Sequence, residues 1–525
     1  MDRLTLGFLH LSIKHKDLAH NRQSLLSHAQ KAAESGADII IAPELSLSGY
    51  SFSSREDIAA YTESREGETL LALKELAKTY SVYMIVGFAE HERATPIFYN
   101  SAIAISPAGE TLCLYRKITA ETRWACPGKA TQQNTFSTPW GTVGLAICSD
   151  TYFGLIPRAA ALKNTDLLVV PSNWPALSLD PTLVWKSRAI ENNMFIAVAN
   201  RGGEDLTMSC REASTCVFSP TGETLLSEKS KDSAIFYAEL PLKNGKLEHQ
   251  QPNWLATRRP ENYSAIYLDM RYATDLTAYY NLPKPGALDV LGFTKASMPE
   301  LSIQSISAFI EKLKPTQNPR LLLMPIYNYE VSLNLDEMVE WAKSQKLNLC
   351  FGTTSPKGDL NIVFIEATGK MTLYLGADRT DTQVPLWIDI EHTRLALAFT
   401  DELIHPEFAM ASAKLGCDLV LCPTSRLDES LHITLGAKTI EQVAVAVAGE
   451  NLAFVAEPPA GHAPWQEYHS EANLPCTTSI STESLRKKRF HERYNFELLL
   501  QIEKNDNVHT NNNKTLLRAA KPTMS

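Results

Sequence analysis

The chain has 525 residues, a formal net charge of −9, and 44% hydrophobic against 21% charged residues. That length and composition suit a globular protein of two to four domains, and the acidic balance argues against nucleic acid or an anionic membrane as its main partner. No apolar run reaches the ~18 residues of a membrane helix, the opening MDRLTLGFLHLSIKHKD lacks a secretion signal's architecture, and nine cysteines without a CxxC pair indicate neither a zinc cage nor a disulfide framework; a reduced, cytoplasmic protein is expected.

Along the chain, HNRQSLLSHAQKAAESG at 20–36 has helical periodicity and closes on Gly36, a C-cap signal. ADIIIAPE at 37–44, TVGLAIC at 142–148 and LLVVP at 167–171 carry unbroken apolar stretches, the mark of strands buried on both faces. The stretch 86–115 reads as two strands around a short turn. Strands alternating with amphipathic helices predict an α/β fold.

The same order then recurs. Leu6-Gly7-Phe8 returns as Leu291-Gly292-Phe293, and ADIIIAPE lies over PRLLLMPI at 319–326. Gly109 matches Gly369, GTVGLAICSD at 141–150 lies over HTRLALAFTD at 392–401, and DLLVVPSN at 166–173 over DLVLCPTS at 418–425. Glu191-Asn192 is matched with Glu450-Asn451, and RRPENY at 258–263 with RFHERY at 489–494. The repeating unit is half the chain. One domain is expected over 1–270 and a second over 285–502, joined by TAYYNLPKPG at 277–286. An Asn-, Lys- and Thr-rich tail at 503–525 reads as disordered.

Three reactive residues fall at strand ends of the first unit, where α/β folds collect their chemistry: Glu44, Lys117 and Cys148. A thiol needs a base or a cationic neighbour to become a nucleophile. A carboxylate can take its proton and later activate water, and a lysine can hold a developing oxyanion.

The stretches APELSLSGY at 42–50, YRK at 115–117, ETRWACPG at 121–128, TPWGTVGLAICSD at 138–150, PSNWP at 171–175 and SRAIENNMFIAVANRGG at 187–203 resemble, in order, the nitrilase superfamily of carbon–nitrogen hydrolases. The resemblance implies two tandem four-layer α-β-β-α sandwiches, with Cys148 as nucleophile, Glu44 as general base and Lys117 as oxyanion donor. It adds Ser149 through its backbone N–H and Glu121 as a supporting glutamate, and implies no cofactor and no metal. The loop between Lys117 and Glu121 is shorter than the family's, Ala125 replaces an expected aromatic, and Gly154-Leu155 stands where the family often has Pro-Glu. Arg158 matches a family arginine and reads as a structural anchor.

Cys148-Ser149-Asp150 is closer to the amidase and carbamoylase branches than to true nitrilases, and PSNWP and SRAIEN resemble the ω-amidase-like branch. The expected substrate is therefore a small amide, with an N-carbamoyl compound as runner-up and a non-catalytic scaffold as the reading of another class. Trp174 is a candidate substrate wall, and Arg123, Lys186 and Arg201 are unranked candidates for binding a substrate carboxylate. A fast-alkylating Cys148 is expected of the enzyme. Counting along the second unit puts Ile326, Ala377 and Phe399 opposite Glu44, Lys117 and Cys148, so that unit reads as degenerate. The family's paired association suggests an intramolecular pseudo-dimer, with higher oligomers left open.

Overall fold

The computed structural model describes residues 2–501 except 93–94, 176–180, 251, 274, 329–333, 356–357, 377–385, 460–464 and 472, so the tail expected at 503–525 lies outside the described residues. Four sheets form among the described residues, two built from residues 3–247 and two from 287–481. In the first sheet, Arg3–His10, Ile39–Ile41 and Tyr83–His91 run parallel at the centre, flanked by antiparallel Ala234–Lys243 on one side and Phe98–Ile105 on the other. In the second, Gly141–Leu145, Leu167–Pro171 and Phe195–Ala199 are the parallel core.

Period-two alternation then builds the layers. Leu4, Leu6 and Phe8 face Val143, Leu145 and Val169 of the second sheet. Leu9, Ile40 and Met84 point the other way and pack with Leu25, Ala29, Leu70 and Leu73 of the helices Leu18–Glu34 and Glu68–Tyr80. The first helix ends just before Gly36, which has φ +87°. The helices Leu155–Ala161 and Thr182–Asn192 complete an α-β-β-α sandwich. The second half repeats the plan: Leu288, Val290 and Leu321 meet Leu395, Leu397 and Leu419 between its sheets. Its inner helices, Pro406–Lys414 and Glu429–Gly436, share one apolar cluster with those of the first half.

The repeat holds, but three of its alignments shift. Ala146 N–H bonds Val169 O as Ala398 N–H bonds Leu421 O. The next residues, Ile147 and Phe399, are each capped by an acid three residues on, Asp150 and Glu402. Tyr115 Oη donates to Asp150 at 2.8 Å and Tyr374 Oη to Glu402 at 2.7 Å. Thr400, not Phe399, therefore stands opposite Cys148. Lys117 N–H bonds Asn100 O as Gly376 N–H bonds Leu360 O, so Gly376 stands opposite Lys117, and Ala377 lies outside the described residues. The cause is a bulge: Ala104 pairs with Cys113 but Ile105 with Thr111, leaving Leu112 extra, whereas the second half pairs without a shift. Glu191-Asn192 precede the strand Phe195–Ala199, but Glu450-Asn451 follow its counterpart Ala444–Ala448, so that match slipped by one element. Ile326 does stand at the Glu44 position: a Cβ on Gly352 would meet Ile326 Cα as one on Gly87 would meet Glu44 Cα.

Candidate active site

Each of the three expected residues follows a strand of the first half. Glu44 lies beyond Ile39–Ile41, Lys117 beyond Thr111–Arg116, and Cys148 beyond Gly141–Leu145, where it opens the 3-10 turn Cys148–Thr151. Cys148 has φ +45°, a left-handed conformation that a non-glycine residue holds only where its surroundings fix it. Here Thr151 Oγ1 donates to Cys148 O at 2.8 Å, and Asp150 accepts from Thr119 N–H, Thr119 Oγ1 and Tyr115 Oη, each at 2.8 Å. Ser149 Oγ lies 2.8 Å from Thr119 Oγ1.

Glu44 and Lys117 are almost fully buried. Lys117 Nζ donates to Glu44 Oε1 at 2.8 Å and to Glu121 Oε1 at 2.6 Å, so Glu121 joins the cluster despite its shortened loop. Asn100 Nδ2 bridges the same carboxylates, at 2.7 Å to Glu44 and 3.1 Å to Glu121. Tyr50 Oη donates to Glu121 at 2.8 Å, and Asn173 N–H to Glu44 Oε2 at 2.9 Å.

Two carboxylates thus share one ammonium, and their environments push them apart. Burial raises Glu44 above the usual carboxylate range despite Lys117, with Glu121 adding to the rise. For Glu121, burial is outweighed by Lys117 and by hydrogen bonds from Lys117, Asn100 and Tyr50, which hold it low. Lys117 itself is held well above its ordinary range, because Glu121 and Glu44 overcome the cost of its burial. Burial and the charge of Glu44 push the Cys148 thiol well up, only partly offset by Lys117 and the Asn173 N–H. A thiol, a carboxylate able to accept a proton and a cation are the groups that nucleophilic acyl transfer requires.

A family model described as carbon-nitrogen hydrolase matches residues 5–246. A probable nitrilase of Schizosaccharomyces pombe is 33% identical over 48% of this chain and 93% of its own length. The chain belongs to the carbon–nitrogen hydrolases of the nitrilase superfamily. Within that superfamily, the omega-amidase NIT2 of Homo sapiens is 31% identical over 45% of this chain and 89% of its own. A solved amidase of the nitrilase superfamily from Nesterenkonia is 22% identical over 50% of this chain and 95% of that one, with a TM-score of 0.41.

Other expected residues sit apart from this hydrolase cluster. Trp174 is buried against Trp185, ring centroids 5.7 Å apart, and the two line a cavity of about 340 Å³ with Asn200, Glu212 and Lys229. Arg201 is buried on Gly202 O, Ile13 O and Asp205, and so is an anchor. Lys186 pairs with Glu429, and Arg123 donates to Phe52 O. Arg158, fully buried, bonds Asn192, Glu191 O, His405 and Glu407, as an anchor should. Asn100, Tyr50 and Asn173 were not singled out from sequence. Tyr50 closes the APELSLSGY stretch and Asn173 lies in PSNWP, whereas Asn100, a polar residue in a buried strand, had only that oddity as a signal.

Proposed function

We propose that the chain is a small-amide amidohydrolase, ω-amidase-like, working through a thioester on Cys148. Cys148 Sγ attacks the amide carbon while Glu44 takes the thiol proton, and the oxyanion is held by the Lys117 ammonium and the Ser149 backbone N–H. The intermediate collapses, the C–N bond breaks, and Glu44 passes its proton to the leaving nitrogen. Water then attacks the thioester as Glu44 removes a proton, and the thiolate departs and is reprotonated. Glu121 stays ionised and fixes Lys117.

The observation that carries this reading is the convergence of Glu44 and Glu121 on the buried Lys117 ammonium, at 2.8 and 2.6 Å, beyond strand ends of the half that also holds Cys148. The test is ammonia release from a panel of small amides, ω-amides and N-carbamoyl compounds, with Cys148→Ala as control. Ammonia from amides that disappears in the variant supports the reading. Carbon dioxide alongside ammonia would identify a carbamoyl hydrolase, and turnover surviving in Cys148→Ala would defeat the mechanism.

The second half is proposed to be the packing partner of a pseudo-dimer over residues 1–270 and 285–502. Gly154 and Pro406 occupy equivalent positions and meet each other: a Cβ on Gly154 would lie 2.6 Å from Pro406 Cβ. Self-contact of equivalent positions is what a two-fold axis produces. The ends of the halves also cross. Residues near 257–268 bind the second half through Thr257–His405, Arg258–Glu407 and the Ile266 and Leu268 carbonyls on Lys414. His491 returns to stack on Phe153, centroids 4.8 Å apart. Ile326, Gly376 and Thr400 leave the three matching positions without base, cation or thiol; at Gly376 a side chain would strike Leu360 O.

A further inference from the structure

Outside the hydrolase cluster, the second half brings two imidazoles and a carboxylate to one point. Glu467 and His469 are two apart on the edge strand Gln466–His469, which places both side chains on one face. His432 reaches the same point from the helix Glu429–Gly436. Glu467 Oε2 lies 2.9 Å from His432 Nε2 and 3.1 Å from His469 Nε2, and all three atoms are within 4.8 Å of one another.

We propose that His432, Glu467 and His469 bind a divalent transition-metal ion of the zinc class. Nitrogen and oxygen ligands at zinc distances form a tetrahedron with edges of about 3.3 Å. The two carboxylate–imidazole separations are already close to that edge, so only the imidazoles need approach each other. The surroundings hold the ligands in place. The Trp465 indole N–H donates to the other Glu467 oxygen, fixing the carboxylate as an outer partner does in metal sites. The Phe454 ring lies 4.7 Å from the His432 ring and 6.4 Å from that of His469, an apolar wall beside both. Gly436 is what lets the helix come this close: a Cβ there would run into Glu467 and Trp465.

Side-chain exposures of 20%, 14% and 44% for His432, Glu467 and His469 leave the site an entry path and a fourth position for water. The ion would pin the edge strand to a helix that also bonds the first half, through Ser430 Oγ to Thr221 O and Glu429 to Lys186. No step of amide hydrolysis uses it.

The experiment is calorimetric titration of the chelator-dialysed full chain with ZnCl2, in a Cys148→Ala background that removes the active-site thiol as a competitor. One saturable ion per chain is expected, with affinity falling at least about tenfold in Glu467→Gln and in His432→Ala. Cobalt(II) should give d–d bands without a thiolate charge-transfer band. Zinc should raise the unfolding midpoint of the parent and not that of His469→Ala, a substitution at the most exposed ligand that leaves the fold intact. Absence of a saturable ion, unchanged affinity in the variants, or a thiolate band would overturn the proposal.

Discussion

Glu441 of the second half accepts a hydrogen bond at 2.9 Å from the backbone N–H of Gly154, six residues beyond Cys148. Beside it, Arg188 bonds the Thr151 and Tyr152 carbonyls, pairs with Glu191, and Glu191 binds Lys438. The segment following Cys148 is therefore held from both halves.

Burial raises the Glu441 carboxyl to about 7, against the partial offset of Arg188 and Lys438, and its Oε2 has no hydrogen-bond partner among the described residues. The native state holds this proton more tightly than the unfolded chain does. Its contribution to stability is full below about pH 4.5 and is lost as pH rises through about 7. Glu441→Gln keeps an acceptor for Gly154 but cannot ionise. Its unfolding midpoint, compared with wild type at pH 5 and pH 8, should gain at the higher pH by the equivalent of roughly 3 kcal/mol. A pH-independent difference would show that Glu441 does not titrate.

Gly154→Ala tests the contact between halves directly. The new methyl meets Pro406, Glu441 and Arg188 at 2.6–3.0 Å. A stability loss of about 1–3 kcal/mol is expected, read by thermal unfolding, with kcat falling because the segment after Cys148 shifts. Wild-type values for both would refute the coupling.

Glu44→Gln should lower turnover by ~10²–10⁴-fold. Removing the charge of Glu44 also removes one cause that keeps the Cys148 thiol high. The pH at half-maximal iodoacetamide labelling of Cys148 should therefore move down in the variant while catalysis falls. In the wild type the same burial predicts labelling of Cys148 that accelerates as pH rises. An unchanged labelling profile in Glu44→Gln would separate the two residues.

Lys117→Ala leaves Glu44 and Glu121 buried without their cation. Breaking such a cluster costs about 3–5 kcal/mol. Adding Glu121→Gln should recover part of the stability but none of the activity, measured by denaturant unfolding and ammonia release.

The strands and the repeat were legible because unbroken apolar runs such as Ile39–Ile41 and Leu167–Pro171 can only be buried on both faces. The placement of Glu44, Lys117 and Cys148 beyond strand ends was legible in the sequence. The counterparts of Lys117 and Cys148 were misplaced by one residue, because counting cannot see the bulge at Leu112 or that Glu402, not Asp401, caps the turn. Asn100 and the Glu191–Lys438 link were hidden because their partners lie far away in sequence.

The Tyr374–Glu402 pair repeats Tyr115–Asp150 in a half that has neither thiol nor carboxylate at the positions matching Cys148 and Glu44. A device kept in both halves belongs to the architecture, so in the proposed mechanism Tyr115 and Asp150 shape the Cys148 turn without sharing in the reaction. The molecule carries its own internal control: what both halves keep is scaffold, and what only the first half keeps is the set of groups that the proposed function uses.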